Sequence, residues 1–141
     1  MKKLFTLLMI SIALVINSCD KDDDSPKDCG CNSETIEEIT VLEEDNLVAT
    51  ISYKIQLDTG DTHYNDKFWI GVSFENCPTC IDVMIVCNEN FLNGEFDYLK
   101  INTDEISQIH FSGNIKKICN RPPNVADYSY YRIVLTSIEK L

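Results

Sequence analysis

Basic residues are scarce in this chain. Twelve Lys and Arg stand against 23 Asp and Glu, a formal net charge of −11. So acidic a surface repels a phosphate backbone, and no basic stripe interrupts it, which excludes nucleic acid as a partner. Histidine is almost absent, with only His63 and His110. There is no Gly-x-Ser-x-Gly elbow, no His-Glu-x-x-His pair and no glycine-rich phosphate loop. A hydrolase built on either histidine therefore has no nominated nucleophile. Choosing two of the 23 acids as a glycosidase pair would be arbitrary. Tryptophan occurs once, as Trp69. Long amphipathic helical periodicity is missing as well.

What is present begins at the first residue. Met1-Lys2-Lys3 is a short positive segment, and Leu4 to Ile16 is apolar apart from Thr6 and Ser11. As a helix that run spans about 20 Å at ~1.5 Å per residue, short of a hydrocarbon core of about 30 Å. It reads as an export signal and not as a membrane span.

Ile16-Asn17-Ser18-Cys19 follows. It resembles the lipobox of bacterial lipoproteins, which implies that Cys19 is lipidated and becomes the first mature residue. Asp20-Lys21-Asp22-Asp23-Asp24 then resembles the Lys-plus-acidic signal of surface-exposed lipoproteins of the Bacteroidetes. That resemblance implies an outer-membrane protein, lipid-anchored and facing the cell exterior. In proteobacterial sorting, an aspartate directly after the cysteine implies inner-membrane retention instead. Several acyl chains, at about 0.8 kcal/mol per buried methylene, make an anchor that hardly dissociates. Asp20 to Asp28 reaches at most about 30 Å from the bilayer. The expected organisation is a signal peptide over 1–18, a lipidated acidic tether over 19–31 and one domain over 32–141. The membrane, through the N-terminal lipid, is the one partner this organisation specifies.

Seven cysteines are present. If Cys19 carries lipid, then Cys29, Cys31, Cys77, Cys80, Cys87 and Cys119 remain. An even number in an exported domain implies disulfides, and spacing alone leaves the connectivity open. Cys29 and Cys31 are placed to staple the start of the domain to its core. Cys87 points inward by alternation and is a plausible partner for Cys119.

Strand patterns fill the domain. Leu47, Ala49, Ile51, Tyr53, Ile55 and Leu57 alternate with polar or smaller residues, which predicts a long half-buried strand. Ile36–Glu43 is expected to pair with it across Glu44-Asp45-Asn46. Lys67–Phe74 places Phe68, Ile70, Val72 and Phe74 on one face and Trp69 on the other, with Lys67, Gly71 and Ser73. Ile81–Cys87 and a weaker Glu95–Ile101 follow, and Asn102-Thr103-Asp104-Glu105 is suited to capping a helical turn. Ser107–Ile115 puts Ile109, Phe111 and Ile115 in, and Gly113 marks a bulge. Tyr128–Ile138 closes the chain. About seven short strands with turn signals between them predict an all-β, antiparallel sandwich or small barrel, stabilised by disulfides.

Four places carry potential chemistry. Cys77-Pro78-Thr79-Cys80 has the spacing of a reducible pair, which thioredoxin-like oxidoreductases place at a helix N-terminus. The β-rich residues that follow it speak against that helix. Cys29-Gly30-Cys31 with Cys77 and Cys80 supplies four thiolates, but the first pair is spaced too closely for a zinc ribbon and an oxidising compartment favours disulfides. Asp58, Asp61, Asn65 and Asp66 offer oxygen ligands without the spacing of a defined calcium loop. Trp69, on the polar face of its strand, is the candidate platform for a glycan or protein ligand. The composite expectation is a lipid-anchored, non-catalytic binding or accessory module with no catalytic residues, metal or cofactor. Two alternatives are an anionic inhibitor of a cationic lytic enzyme, and a thiol–disulfide oxidoreductase using Cys77 and Cys80.

Overall fold

The computed structural model describes residues 28–43, 47–55, 64–74, 76–121 and 127–141. The apolar N-terminal run expected to be an export signal, Cys19 and the acidic run after it lie outside these residues, as do Asp58, Asp61 and His63. The described residues form six strands: β1 Thr35–Val41, β2 Leu47–Lys54, β3 Lys67–Phe74, β4 Cys77–Val86, β5 Ser107–Lys116 and β6 Tyr128–Lys140. Five of them close a small barrel in the order β5-β2-β3-β4-β6, with β6 returning to β5, and β1 is an added strand. The all-β expectation holds.

Three details differ from it. β1 pairs with β5, from Thr35 opposite Lys116 to Val41 opposite Phe111, and not with β2. Along that same edge of β5, Gln108 and Ser107 pair with Thr50 and Ile51 of β2. β5 thus serves two strands in succession on one side and β6 on the other. Second, the barrel closes through a parallel ladder, Ile81 opposite Tyr128 to Val86 opposite Ile133, in an otherwise antiparallel sheet. Third, Glu95–Ile101 is not a strand. Its end is a single helical turn, α1 (Tyr98–Ile101), which follows a 3-10 turn at Glu89–Leu92. Asn102 ends α1 instead of opening a helix, its N–H donating to the carbonyl of Tyr98 at 3.0 Å.

The barrel interior is apolar by alternation. Ala49 and Ile51 of β2, Phe68, Ile70 and Val72 of β3, and Ile109, Phe111 and Ile115 of β5 all point inward and are buried. Leu92, Phe96 and Leu99, from the turns and α1, pack into the same cluster. Each such side chain contributes roughly 1.5–3 kcal/mol on leaving water. That burial makes a short helical connection stable where its own propensity would not.

Two local devices hold the closure. Asn88, just past β4, uses its side-chain amide as a substitute strand residue. Its Nδ2 donates to the Leu135 carbonyl at 2.9 Å, and its Oδ1 accepts from the Leu135 N–H at 2.8 Å. The ladder between β4 and β6 therefore continues beyond the last β4 residue. Gly113 sits where the β5–β6 register slips by one residue, the predicted bulge. A Cβ there would stand 2.8 Å from both Cδ1 and Cγ1 of Ile133 and 2.8 Å from the carbonyl oxygen of Val134. One obstacle is backbone and the other is a fully buried side chain, so neither moves cheaply. Gly113→Ala is expected to lower stability by about 1–3 kcal/mol, the usual cost of overpacking. Urea unfolding followed by fluorescence of Trp69 checks this, and an unchanged midpoint would show that β6 yields at this point.

Candidate functional site

Trp69 does not form an exposed platform. It is only 5 % exposed, in a second apolar cluster on the outer face of the barrel with Tyr64, Ile85, Ile118 and Tyr130. Its indole N–H donates to the Tyr64 carbonyl at 3.3 Å, so the polar edge is satisfied inside. The polar neighbours of Trp69 along β3 suggest a wet face. The cover comes instead from Tyr64, five residues earlier, and from Ile85, Ile118 and Tyr130 farther along the chain.

Ile118 of this cluster adjoins Cys119, one of four cysteines that cross-link the N-terminal segment to the barrel. Cys29 bonds to Cys119 and Cys31 to Cys87. The expected Cys87–Cys119 pairing is replaced by these two, because Cys87 continues the outward face of Val83 and Ile85 and meets the N-terminal segment there. Residues 29–31 consequently belong to the folded domain and not to the tether. Gly30 lets two cysteines so close in sequence reach different partners. Its φ of +93° lies in the region open to glycine, and its N–H donates to the Lys117 carbonyl at 2.7 Å. Ser33 finishes the turn, with both its N–H and its hydroxyl donating to the Gly30 carbonyl. Lys116 ties β5 to the same turn, Nζ donating to the Ser33 carbonyl at 2.8 Å and to Thr35 Oγ1 at 2.9 Å.

Between this stapled segment and the barrel wall lies an open cleft of about 280 Å³, lined by Cys29, Gly30, Cys31, Asn32, Tyr64, Cys119, Asn120 and Arg132. Arg132 is half-buried and stands on β6 where that strand passes from β4 to β5, opposite Ile85 on one side and Lys116 on the other. Its Nη1 donates to Cys31 Sγ at 3.9 Å. Sequence reasoning did not single out Arg132. The available signal was that it is one of only two arginines and the one cation in Tyr128–Ile138.

The other candidates have structural settings. Cys77 and Cys80 are bonded to each other inside β4 and do not open a helix. Opposite them the register jumps, since Ser73 faces Ile81 while the next residue, Phe74, faces Cys77. Residues 78–80 are left without ladder partners, and Pro78 has no N–H to offer one. The disulfide closes the neck of this bulge. Among the described residues no group of three or more His, Cys, Asp or Glu is placed to hold a metal, and no helix is long and apolar enough to cross a membrane. His110 stands half-buried on β5 opposite Glu139.

Asp82, on β4 opposite Val72 and Ser129, is the one carboxylate among the described residues with a displaced titration. Partial burial raises its pKa above the ordinary 3.8, a hydrogen bond with Ser129 opposes this, and the charge of Glu37 adds to it. A raised folded-state pKa means that the folded protein holds this proton more tightly than the unfolded chain does. The resulting stabilisation is present at low pH and is lost as pH rises through the folded value. Asp82→Asn is therefore expected to raise the urea midpoint at pH 7, with the gain shrinking as pH falls through the raised folded-state value and gone below about 4, where the unfolded chain also protonates.

The disulfides differ in reach, with sequence separations of 90 for Cys29–Cys119 and 3 for Cys77–Cys80. Replacing the first pair by serines is expected to cost about 4–5 kcal/mol, and the second about 2 kcal/mol or less, from loop closure in the unfolded chain. Parallel urea titrations of the two double variants check the ranking. No protein-family model and no curated protein matches this chain.

Proposed function

We propose that the chain is a lipid-anchored envelope protein whose β domain binds a ligand without catalysing a reaction. The observation that carries this reading is the disposition of cysteines. Six of the seven are bonded to one another, which leaves Cys19 as the one unclaimed thiol, directly after an apolar run and before an acidic one. Disulfides of long reach suit an oxidising compartment. A net charge of −11 suits a domain held off an anionic membrane surface. The described residues begin at Asp28, and Cys29 lines the Arg132 cleft, so the chain enters the folded domain beside that cleft. Outward display from the outer membrane, with a role in ligand capture or envelope assembly, follows the resemblance of residues 20–24.

Metabolic labelling with an alkyne palmitate analogue tests the reading. The intact chain is expected to take up label and fractionate with membranes, and Cys19→Ser to lose both. Absence of label on the intact chain, or label kept by Cys19→Ser, would overturn it. Protease treatment of whole cells then reports the leaflet, with degradation of the intact protein expected for outward display.

A further inference from the structure

The Arg132 cleft has the chemistry of an anion site, and we propose that it takes a small carboxylate-bearing ligand. This deepens the binding-module reading and rests on it. Three observations carry the proposal. A guanidinium has five N–H donors, yet among the described residues the hydrogen bond recorded for Arg132 goes to Cys31 Sγ at 3.9 Å, and sulfur is a poor acceptor. A half-buried cation so weakly compensated favours an incoming anion.

The second observation is the neighbourhood. In a chain with 12 basic residues against 23 acidic ones, two of the basic residues, Lys116 and Arg132, stand opposite each other beside the cleft. Lys116 faces Arg132 across the β5–β6 ladder, and Arg121 follows the lining residue Asn120 and is exposed. The contacts recorded for Lys116 are to a carbonyl and a hydroxyl, both neutral, so its charge is not cancelled there. The exposed acid Asp28 adjoins Cys29 on the opposing side. The Lys116–Arg132 pair attracts anions against the field of an otherwise acidic molecule.

The third observation is rigidity and size. Two disulfides fix the wall opposite Arg132, so the cleft requires no ordering when it is filled. A volume of about 280 Å³ admits one sugar ring or one amino-acid residue. Within the cleft, a single fully charged side chain is flanked by the neutral amides of Asn32 and Asn120. That set matches a singly charged, planar carboxylate with adjacent hydroxyl or amide groups, which a guanidinium engages in bidentate fashion. A doubly charged phosphate would leave charge unmatched.

The test is a titration of the full chain, purified in detergent and labelled with 15N, at constant ionic strength. Four probes are used: glucuronate, N-acetylalanine and their uncharged counterparts glucose and N-acetylalanine methylamide, with sulfate as a fifth arm. The proposal expects the Arg132 Nε–H resonance to shift with one or both carboxylates and not with the uncharged probes. It expects Arg132→Gln to weaken that binding at least about tenfold. Arg132→Lys, which keeps the charge and loses the fork, is expected to fall between. An unchanged amide spectrum elsewhere shows that each variant is folded. Equal response to the uncharged probes, a stronger response to sulfate, full binding by Arg132→Gln, or no response from the intact chain up to about 20 mM would each overturn it. The choice between glucuronate and N-acetylalanine separates a glycan source of the carboxylate from a peptide source. A failed titration leaves Cys19 acylation untouched, so the two readings fail separately.

Discussion

The fold depends on one strand holding two partners at once. β6 runs parallel to β4 through residues 128–133 and antiparallel to β5 through residues 132–140. Without that double pairing the sheet would be an open ribbon with its apolar face in water. The strain of sharing is met at identifiable places. Gly113 lets β5 and β6 approach where the register slips, and the Asn88 amide takes over the Leu135 backbone groups where β4 ends. Arg132 stands at the hand-over itself, and this accounts for its position at the junction of the barrel wall and the stapled segment.

Burial on both faces of β3 follows from the same geometry. Inside the barrel, Phe68, Ile70 and Val72 pack against the other strands. Outside, Trp69 packs with Tyr64, Ile85, Ile118, Tyr128 and Tyr130. A five-stranded barrel this small has little interior, so a second apolar layer on its outer surface adds burial that the first cannot hold. The Cys29–Cys31 segment is short and has little structure of its own, and cross-linking is what keeps it in place. The function of Cys29 and Cys31 is therefore positional. They convert what would be a frayed terminus into a wall.

Much of this was legible in the sequence, for physical reasons. β2 and β5 alternate strictly because one face of each is wet, and Gly113 interrupts β5 where a side chain has no room. The β1–β2 hairpin was misread because a turn-forming cluster at residues 44–46 is a local signal, whereas the partner of β1 is decided by the distant β5. Glu95–Ile101 is the opposite case, since its two buried side chains, Phe96 and Leu99, are spaced by a turn and not by a strand. Trp69 misled because face assignment by alternation assumes that only one face is covered. The six-cysteine count was readable, but the pairing was not, because it depends on which outer face each cysteine reaches. The lining of the cleft is drawn from four separated stretches of the chain, and no local pattern marks it.

The longest cross-link joins residues 90 apart, and the other two disulfides lie wholly within that span. Every peptide bond from Cys29 to Cys119 is consequently enclosed in a covalent ring. A protease that cuts any one of them, in whichever loop, opens the ring and releases nothing. Both halves stay joined through sulfur and stay registered by the barrel's hydrogen bonds. The segment from Cys29 to Cys119 is thus a closed loop, and β6, which lies beyond it, holds the barrel shut.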